Sequence, residues 1–448
     1  MNFVMLWTDY FVWTLVLLAF ISFVQMLRNP LSRQTILELL RSRINVVAII
    51  VLSAYILIGL LDSIHFKYDT PNVESLNEIN SVLDSILKPM RLHSERSYSA
   101  PFATHAFTKE TVYLPDGSHT RDYPRLQYGG AHLEDPTTRT SDVLQKLAWS
   151  SMVSLILWGA LCVVLAFFIR SRWTTSWKTA VITFGVGIWL VMQVYSFMPY
   201  YHILGTSQVG EDVLYQGLKS IRTGLILGTV TTLVMLPFAL ILGLMAGYFK
   251  GWVDDAIQYL YTTLSSIPGV LLIVAAVLSL QVIMNRNESM FQTIVERSDA
   301  RLLALCMILG ITSWTGLCRL LRGEALKLSD IEYVQAARSL GVSHAGILFR
   351  HLLPNVLHIV LIAIVLDFSG LVLAEAVLSY VGVGIDPTSY SWGMMINSAR
   401  LEMARAPIVW WSLATAFGLM FLLVLFANIF ADHLRDALDP RIQKKVSV

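Results

Sequence analysis

The sequence predicts an all-α polytopic membrane protein of about nine transmembrane helices, with a small α/β insert outside the membrane. Three observations carry that prediction. The hydrophobic fraction is 55%, charged residues are only 14%, and mean hydropathy is +0.61. A soluble chain carries roughly a quarter charged residues, so several water-facing domains are excluded. Nine apolar runs are long enough to cross a hydrocarbon core, which takes about 20 helical residues. The basic residues, finally, gather in alternate links between those runs.

In chain order the runs are Leu6–Met26, Ile44–Leu61, Leu144–Ile169, Trp177–Met198, Ile221–Phe249, Ile267–Met284, Leu302–Leu321, Val356–Val381 and Ile408–Ala431. The first has no basic n-region and no small-residue cleavage site, so it reads as a span and not as a cleavable signal. Arg28, Arg33, Arg41 and Arg43 follow it, and Arg170, Arg172 and Lys178 flank the turn after the third run. Arg319, Arg322, Lys327, Arg338 and Arg350 surround the link after the seventh, and Arg435, Arg441, Lys444 and Lys445 follow the ninth. The positive-inside rule places all four clusters in the cytoplasm. With nine spans, the N-terminus is then outside and the C-terminus inside. Overall, 33 Lys+Arg against 31 Asp+Glu leave a net charge of +2, which offers nucleic acid no basic field. Cys162, Cys306 and Cys318 lie in apolar stretches without metal-ligand spacing and read as small hydrophobes.

Two hydrophilic segments interrupt the spans. In Asp62–Asp142, Leu76, Ile79, Val82, Leu83, Ile86 and Leu87 recur at helical spacing, and Pro89 should stop that helix. Thr111-Val-Tyr-Leu before Pro115-Asp116-Gly117 reads as a strand entering a tight turn. Five of the ten histidines (His65, His93, His105, His119, His132) fall here, too widely spaced for a metal motif.

The second segment is the link Arg322–Asn355. Ser329 and Glu332 have capping-box spacing, which predicts a helix from Asp330. Ala336 and Ala337 give it a small contact patch, and Gly341 stands where a left-handed cap is wanted. A second short helix, Ser343 to Leu353, should end at Pro354. A short amphipathic helix between two spans suits docking into a groove on a soluble partner. An ordinary polar connector is the alternative. A DNA-binding helix-turn-helix, which Ala336-Ala-Arg-Ser-Leu-Gly-Val-Ser343 could imitate, lacks a third helix and a free domain.

The same residues carry a family resemblance. Glu332-Tyr-Val-Gln-Ala-Ala-Arg-Ser-Leu-Gly341 with Arg350-His-Leu-Leu-Pro-Asn355 resembles the EAA signature of ABC importer permeases, more narrowly the C-type permease of the oligopeptide/dipeptide/nickel group. His202-Ile-Leu-Gly-Thr206 with Gly210 and Asp212 is similar to that group's extracytoplasmic segment. Glu375-Ala-Val-Leu-Ser-Tyr-Val-Gly-Val-Gly384 with Ser391-Trp-Gly393, and Leu434-Arg-Asp-Ala-Leu-Asp-Pro-Arg441, resemble two further stretches. Gln335 stands where the signature has Glu, and Ser207 and Glu211 replace an Asp and an Arg.

The resemblance implies a type I ABC importer permease core over 201–441, with its coupling loop at 322–355 and its first helix at 44–61. Additions to that plan are the helix and link of 1–43, the insert of 62–142 and two helices in 143–200; 442–448 is a cytoplasmic tail. It also implies an inner-membrane location and a role for Glu332, Gln335, Ala336, Ala337, Leu340, Gly341 and Pro354 in contacting a separate ATPase. No Gly-x-x-x-x-Gly-Lys-Ser/Thr and no Gly-Lys pair occurs in the chain, so P-loop ATP binding is excluded here. ATP and Mg would belong to one or two ATPase subunits, and the other partners would be a second permease, an extracytoplasmic substrate-binding protein and membrane lipid. Peptides are the implied substrates, with nickel chelates a lesser option. No catalytic residue or metal site is expected.

Gly243 and Gly247 have the spacing of close helix contacts. Pro237 and Pro268 are candidate kink or helix-entry points. Asp367 and Glu375 within the eighth run, with Pro268, are pathway or gating candidates, and the two acids also raise the rival of a proton-coupled carrier. Against that rival, their span holds no basic partner and no inverted repeat is visible. A membrane-anchored receptor would explain one or two helices but not nine.

Overall fold

The computed structural model describes residues 2–28, 36, 38–67, 79–113, 119–168, 175–287, 291, 293–386 and 388–438. Leu76, the turn at 115–117, Arg33, Arg170, Arg172, Arg441, Lys444, Lys445 and the 442–448 tail lie outside the described residues.

The elements run β1 (Asn2–Val4), α1 (Trp7–Arg28), α2 (Arg43–Asp62), β2 (His65–Lys67), β3 (Ile79–Ser81), α3 (Val82–Ile86), α4 (Lys88–Leu92), β4 (Glu110–Tyr113) and β5 (His119–Asp122). Next come α5 (Arg139–Phe168), α6 (Thr175–Phe197), α7 (Val213–Phe249), α8 (Gly251–Ser266), α9 (Gly269–Arg286), α10 (Ile294–Ser313) and α11 (Thr315–Ser329). After α12 (Glu332–Ser339), a short α13 (His344–Gly346) passes through a π-helical turn (Ile347–Leu352) into α14 (Leu353–Tyr380). The chain ends with α15 (Trp392–Glu402) and α16 (Trp411–Leu438). Among the described residues nine helical stretches are long and apolar enough to cross a membrane, one for each apolar run. The protein is an all-α polytopic membrane protein with a small mixed insert.

Two compact units divide the chain: Met1–Met5, Ile36–Thr223 and Tyr390–Phe426 in one, and Leu6–Thr35, Gly224–Ser389 and Ala427–Val448 in the other.

In the first unit, β1 pairs antiparallel with β2 (Phe3 opposite Phe66), and β2 with β3 (Phe66 opposite Asn80). Ile79 is therefore a strand residue and does not belong to the expected helix. That helix starts only at Val82, where Ser81 and Asp84 form a capping box. The helix ends at Ile86 with Leu87 as its C-cap, just ahead of Pro89, which stands in the first turn of α4, where its missing N–H is among the donors that need no partner. β4 and β5 pair antiparallel, as the Thr111 strand reading requires. The hairpin of α5 and α6 is stitched by Ser150 Oγ donating to Gln193 Oε1 (2.6 Å), Trp158 Nε1 to the Val181 carbonyl (2.9 Å) and Trp189 Nε1 to Ser151 Oγ (3.0 Å). Between helices surrounded by lipid, polar bonds of this kind and close packing replace the hydrophobic drive.

In the second unit, Gly243 and Gly247 of α7 lie against α11. A Cβ on Gly243 would come within 2.9 Å of the Cys318 carbonyl, and one on Gly247 within 2.5 Å of Ala325 Cβ. The predicted close contact is thus present. α1 docks at its start, where the Thr8 amide and hydroxyl both donate to Asp299 of α10. The run Leu302–Leu321 is not one helix, because it breaks at buried Trp314 between α10 and α11.

Candidate functional site

The link between α11 and α14 builds its surface from a helix of eight residues. Ser329 stays in α11, where its hydroxyl donates to the Leu326 carbonyl (2.8 Å), so the expected capping box does not form. α12 begins instead at Glu332, whose carboxylate in the first turn favours the positive end of the helix. At the other end Gly341 adopts φ +78°, where a side chain would be strained. The Gly341 amide donates to the Arg338 carbonyl (3.1 Å) and the Val342 amide to the Ala337 carbonyl (3.1 Å), a Schellman closure.

One face of α12 is buried through Val334 and Ala337, with Val334 in a core that includes Tyr248, Leu321, Ala325, Ile347 and Val356. Glu332, Gln335, Ala336 and Leu340 face outward, with Leu340 84% exposed. Ile331, Tyr333, Val342 and Phe349 add exposed apolar surface beside them. The alanine pair is therefore split, with Ala336 available for contact and Ala337 serving as an anchor. Gln335 turns back through Nε2 onto the Asp330 carbonyl (3.1 Å).

Polar bonds hold this element on its base. Asn355 Nδ2 donates to Tyr333 Oη (3.0 Å), Lys250 pairs with Asp330 (2.8 Å), and Tyr248 Oη lies 2.9 Å from His344 Nδ1. Beneath them Arg322 of α11 grips Asp254 of α8 at 2.5 and 2.7 Å. That guanidinium bond holds the Asp254 carboxyl below the usual carboxylate range. Pro354 does not stop the second helix. It stands in the first turn of α14 after the π-helical turn, whose wider ladder accommodates its missing N–H.

The pathway candidates are not brought together. Glu375 is buried and accepts from Ser379 Oγ (2.7 Å). Asp367 is half-buried and without a described partner, about 12 Å away along α14 from the helical rise. Pro268 is exposed at the junction of α8 and α9, where it caps α9. Pro237 lies inside α7.

A second cluster, in the first unit, explains the His202–Asp212 motif. Buried His202 reaches Asp212 Oδ2 through Nδ1 (3.0 Å) and places Nε2 3.4 Å from Glu95 Oε1. Asp212 Oδ1 in turn accepts the Leu214 and Tyr215 amides (2.9 and 3.1 Å), capping α7. Glu95 accepts the amides of Gln127 (2.8 Å), Tyr128 (2.8 Å) and Gly129 (3.0 Å). Burial works to lower the His202 pKa, but the bonds and charges of Asp212 and Glu95 outweigh it and raise it to about 9. Burial works to raise Glu95, but its bonds from His202 and the three amides hold it at about 2. Gly210, at φ +79°, lets the chain pass where a Cβ would collide with the Glu95 carbonyl.

Beside this cluster Lys219 of α7 pairs with Asp62 (2.6 Å) and Asp84 (3.0 Å), and Tyr215 Oη donates to Asp84 (2.8 Å). Burial pushes Asp84 up, and the Lys219 charge with the bonds from Ser81 and Tyr215 brings it to about 2. These partners let α7 begin at Val213, well before its apolar run. Glu95 had no local sequence signal, because its partners lie about thirty and a hundred residues away.

Among the described residues, nine membrane-length helical stretches with an exposed helix between two of them define a multi-pass membrane protein. Residues 239–444 match the family described as binding-protein-dependent transport system inner membrane component. The chain is 33% identical over 244 residues to the glutathione transport system permease protein GsiD of Pectobacterium atrosepticum, covering 54% of this chain and 73% of that one. It is 30% identical over 239 residues to the oligopeptide transport system permease protein OppC of Mycobacterium bovis, covering 53% and 76%. To the dipeptide transport system permease protein DppC of Bacillus subtilis it is 28% identical over 243 residues, covering 54% and 70%. The chain belongs to the family of binding-protein-dependent transport inner-membrane components. It is a transport permease subunit and not an enzyme, and the proton-coupled carrier reading gives way to that membership.

Proposed function

We propose that this chain forms half of the translocation pathway of an ATP-driven importer of short peptides, paired with a second permease. Its α12 surface docks into one of one or two separate ATPase subunits, which bind the ATP and Mg. An extracytoplasmic binding protein delivers the substrate. The observation that carries this reading is the outward face of α12, with Ala336 and Leu340 exposed on a helix anchored from beneath by Val334 and Ala337. The peptide substrate rests on the names of the oligopeptide and dipeptide permeases to which the chain is similar.

The orientation proposed is N-terminus outside and C-terminus in the cytoplasm. Three features support it. β1 pairs with β2, so the N-terminus shares a side with the insert. The Ser176 hydroxyl donates to the Arg41 carbonyl, joining two of the basic links. An odd number of spans, nine among the described residues, puts the two ends on opposite sides.

Cysteine crosslinking tests the docking. With the three native cysteines replaced, single cysteines at Ala336 and Leu340 are expected to form adducts with the ATPase subunit. Cysteines at buried Val334 and Ala337 are expected to form at least tenfold less. Absence of an adduct from every position between Asp330 and Gly341 would overturn the assignment.

A further inference from the structure

The insert holds a cavity that borders the buried charge cluster and that the α12 surface does not use. Its volume is about 390 Å³, and Arg96, Ser97, Glu110, Arg125 and Leu126 are among its lining residues. That volume lies within the roughly 300–1,000 Å³ of small-molecule sites.

The polar groups on its wall are unevenly used. Glu95, also at the wall, is consumed by three amides and His202. Arg96 is exposed and has no partner among the described residues. Arg125 spends Nη2 on the carbonyls of Leu133 and Gly130, leaving the Nε and Nη1 hydrogens of its five donors free. Glu110 accepts from Ser97 Oγ at Oε1 (3.1 Å), which leaves Oε2 open. The cavity thus presents two guanidinium groups with spare donors, one carboxylate with a spare acceptor, and an apolar floor of Ala106, Pro124 and Leu126. Guanidinium forks favour carboxylates, and the open Glu110 oxygen favours an ammonium.

From this arrangement we infer that the cavity is a subsite for a short zwitterionic peptide, its carboxylate held by Arg96 and Arg125 and its ammonium by Glu110. The inference rests on the peptide-importer reading and extends it: the permease itself, besides any binding protein, contacts the substrate's two termini.

Calorimetric titration of the purified full chain in detergent with dialanine tests it, using N-acetyl-dialanine and dialanine amide as controls. Dialanine is expected to bind, and amidation to weaken it at least tenfold. R96A is expected to weaken dialanine at least tenfold while barely affecting the amide, and E110Q to remove the preference for a free ammonium. R96A removes an exposed, unpartnered side chain, so its unfolding temperature should equal that of the parent, which separates lost binding from lost fold. Equal affinity for dialanine and its amide, binding unchanged in R96A, or no binding by the parent chain would overturn the subsite. Those results leave ATPase crosslinking at α12 intact, whereas failure of the crosslinking leaves dialanine binding intact, so the two readings fail separately.

Discussion

Replacing Glu95 with alanine is expected to destabilise the insert by about 3–5 kcal/mol, the usual consequence of removing one partner of a buried charge pair. Two losses combine. The side chain is almost fully buried, and its removal strands the amides of Gln127, Tyr128 and Gly129. It also leaves the His202 charge with only Asp212. Thermal unfolding of the purified chain, followed by a reporter in the insert, reads the effect. E95Q, which keeps acceptor oxygen but not charge, should fall between parent and E95A. An unfolding temperature within 1 °C of the parent in E95A would contradict the account.

The same cluster sets a pH window. His202 is raised from 6.5 to about 9, so its stabilisation is complete below 6.5 and is lost as pH rises through 9. Glu95 is lowered from 4.5 to about 2, so its contribution is complete above 4.5 and is lost as pH falls through 2. The two contributions are together complete between pH 4.5 and 6.5. The insert's unfolding temperature should therefore fall between pH 7 and 9.5, and that fall should shrink in E95A.

Gly247→Leu should strongly disrupt the second unit. A Cβ at Gly247 would already lie 2.5 Å from Ala325 Cβ, 2.7 Å from the Arg322 carbonyl and 2.9 Å from the Leu326 amide. Two of those three atoms are backbone and cannot rotate away, so α7 and α11 must separate. Overpacking of well-packed sites typically costs about 1–3 kcal/mol, and here the full leucine is added where not even a methyl fits. Separation also pulls at the base of α12, since Arg322 holds Asp254 and Leu321 and Ala325 pack with Val334. The expected result is loss of folded chain on detergent gel filtration, and for Gly247→Ala a milder loss. Parent-like yield and stability of G247L would show that the contact is not close.

Much of this fold was legible because hydropathy needs no tertiary information. Among the described residues each of the nine apolar runs lies in a helical stretch of membrane-spanning length, although Leu302–Leu321 is shared by α10 and α11, and the spacing of Gly243 and Gly247 announced a contact that the structure contains. What escaped depended on partners distant in sequence. α8 and α15 carry no long apolar run, so hydropathy alone did not mark them. Ser329 and Glu332 have the spacing of a capping box, yet α11 continues through Ser329 and uses its hydroxyl. Pro354 reads as a stop only if the preceding turn is α-helical, and here it is wider. In α12 the sequence offers two adjacent alanines, and only packing shows that Ala336 faces out and Ala337 faces in.

The most direct test of the central claim is uptake of a radiolabelled dipeptide into vesicles holding this chain together with the second permease, ATPase and binding protein proposed for it. Collapsing the proton gradient with an uncoupler while ATP is held constant is expected to leave uptake unchanged, and depleting ATP with the gradient intact to abolish it. Uptake that falls with the gradient at constant ATP would contradict a permease driven through α12 by a separate ATPase.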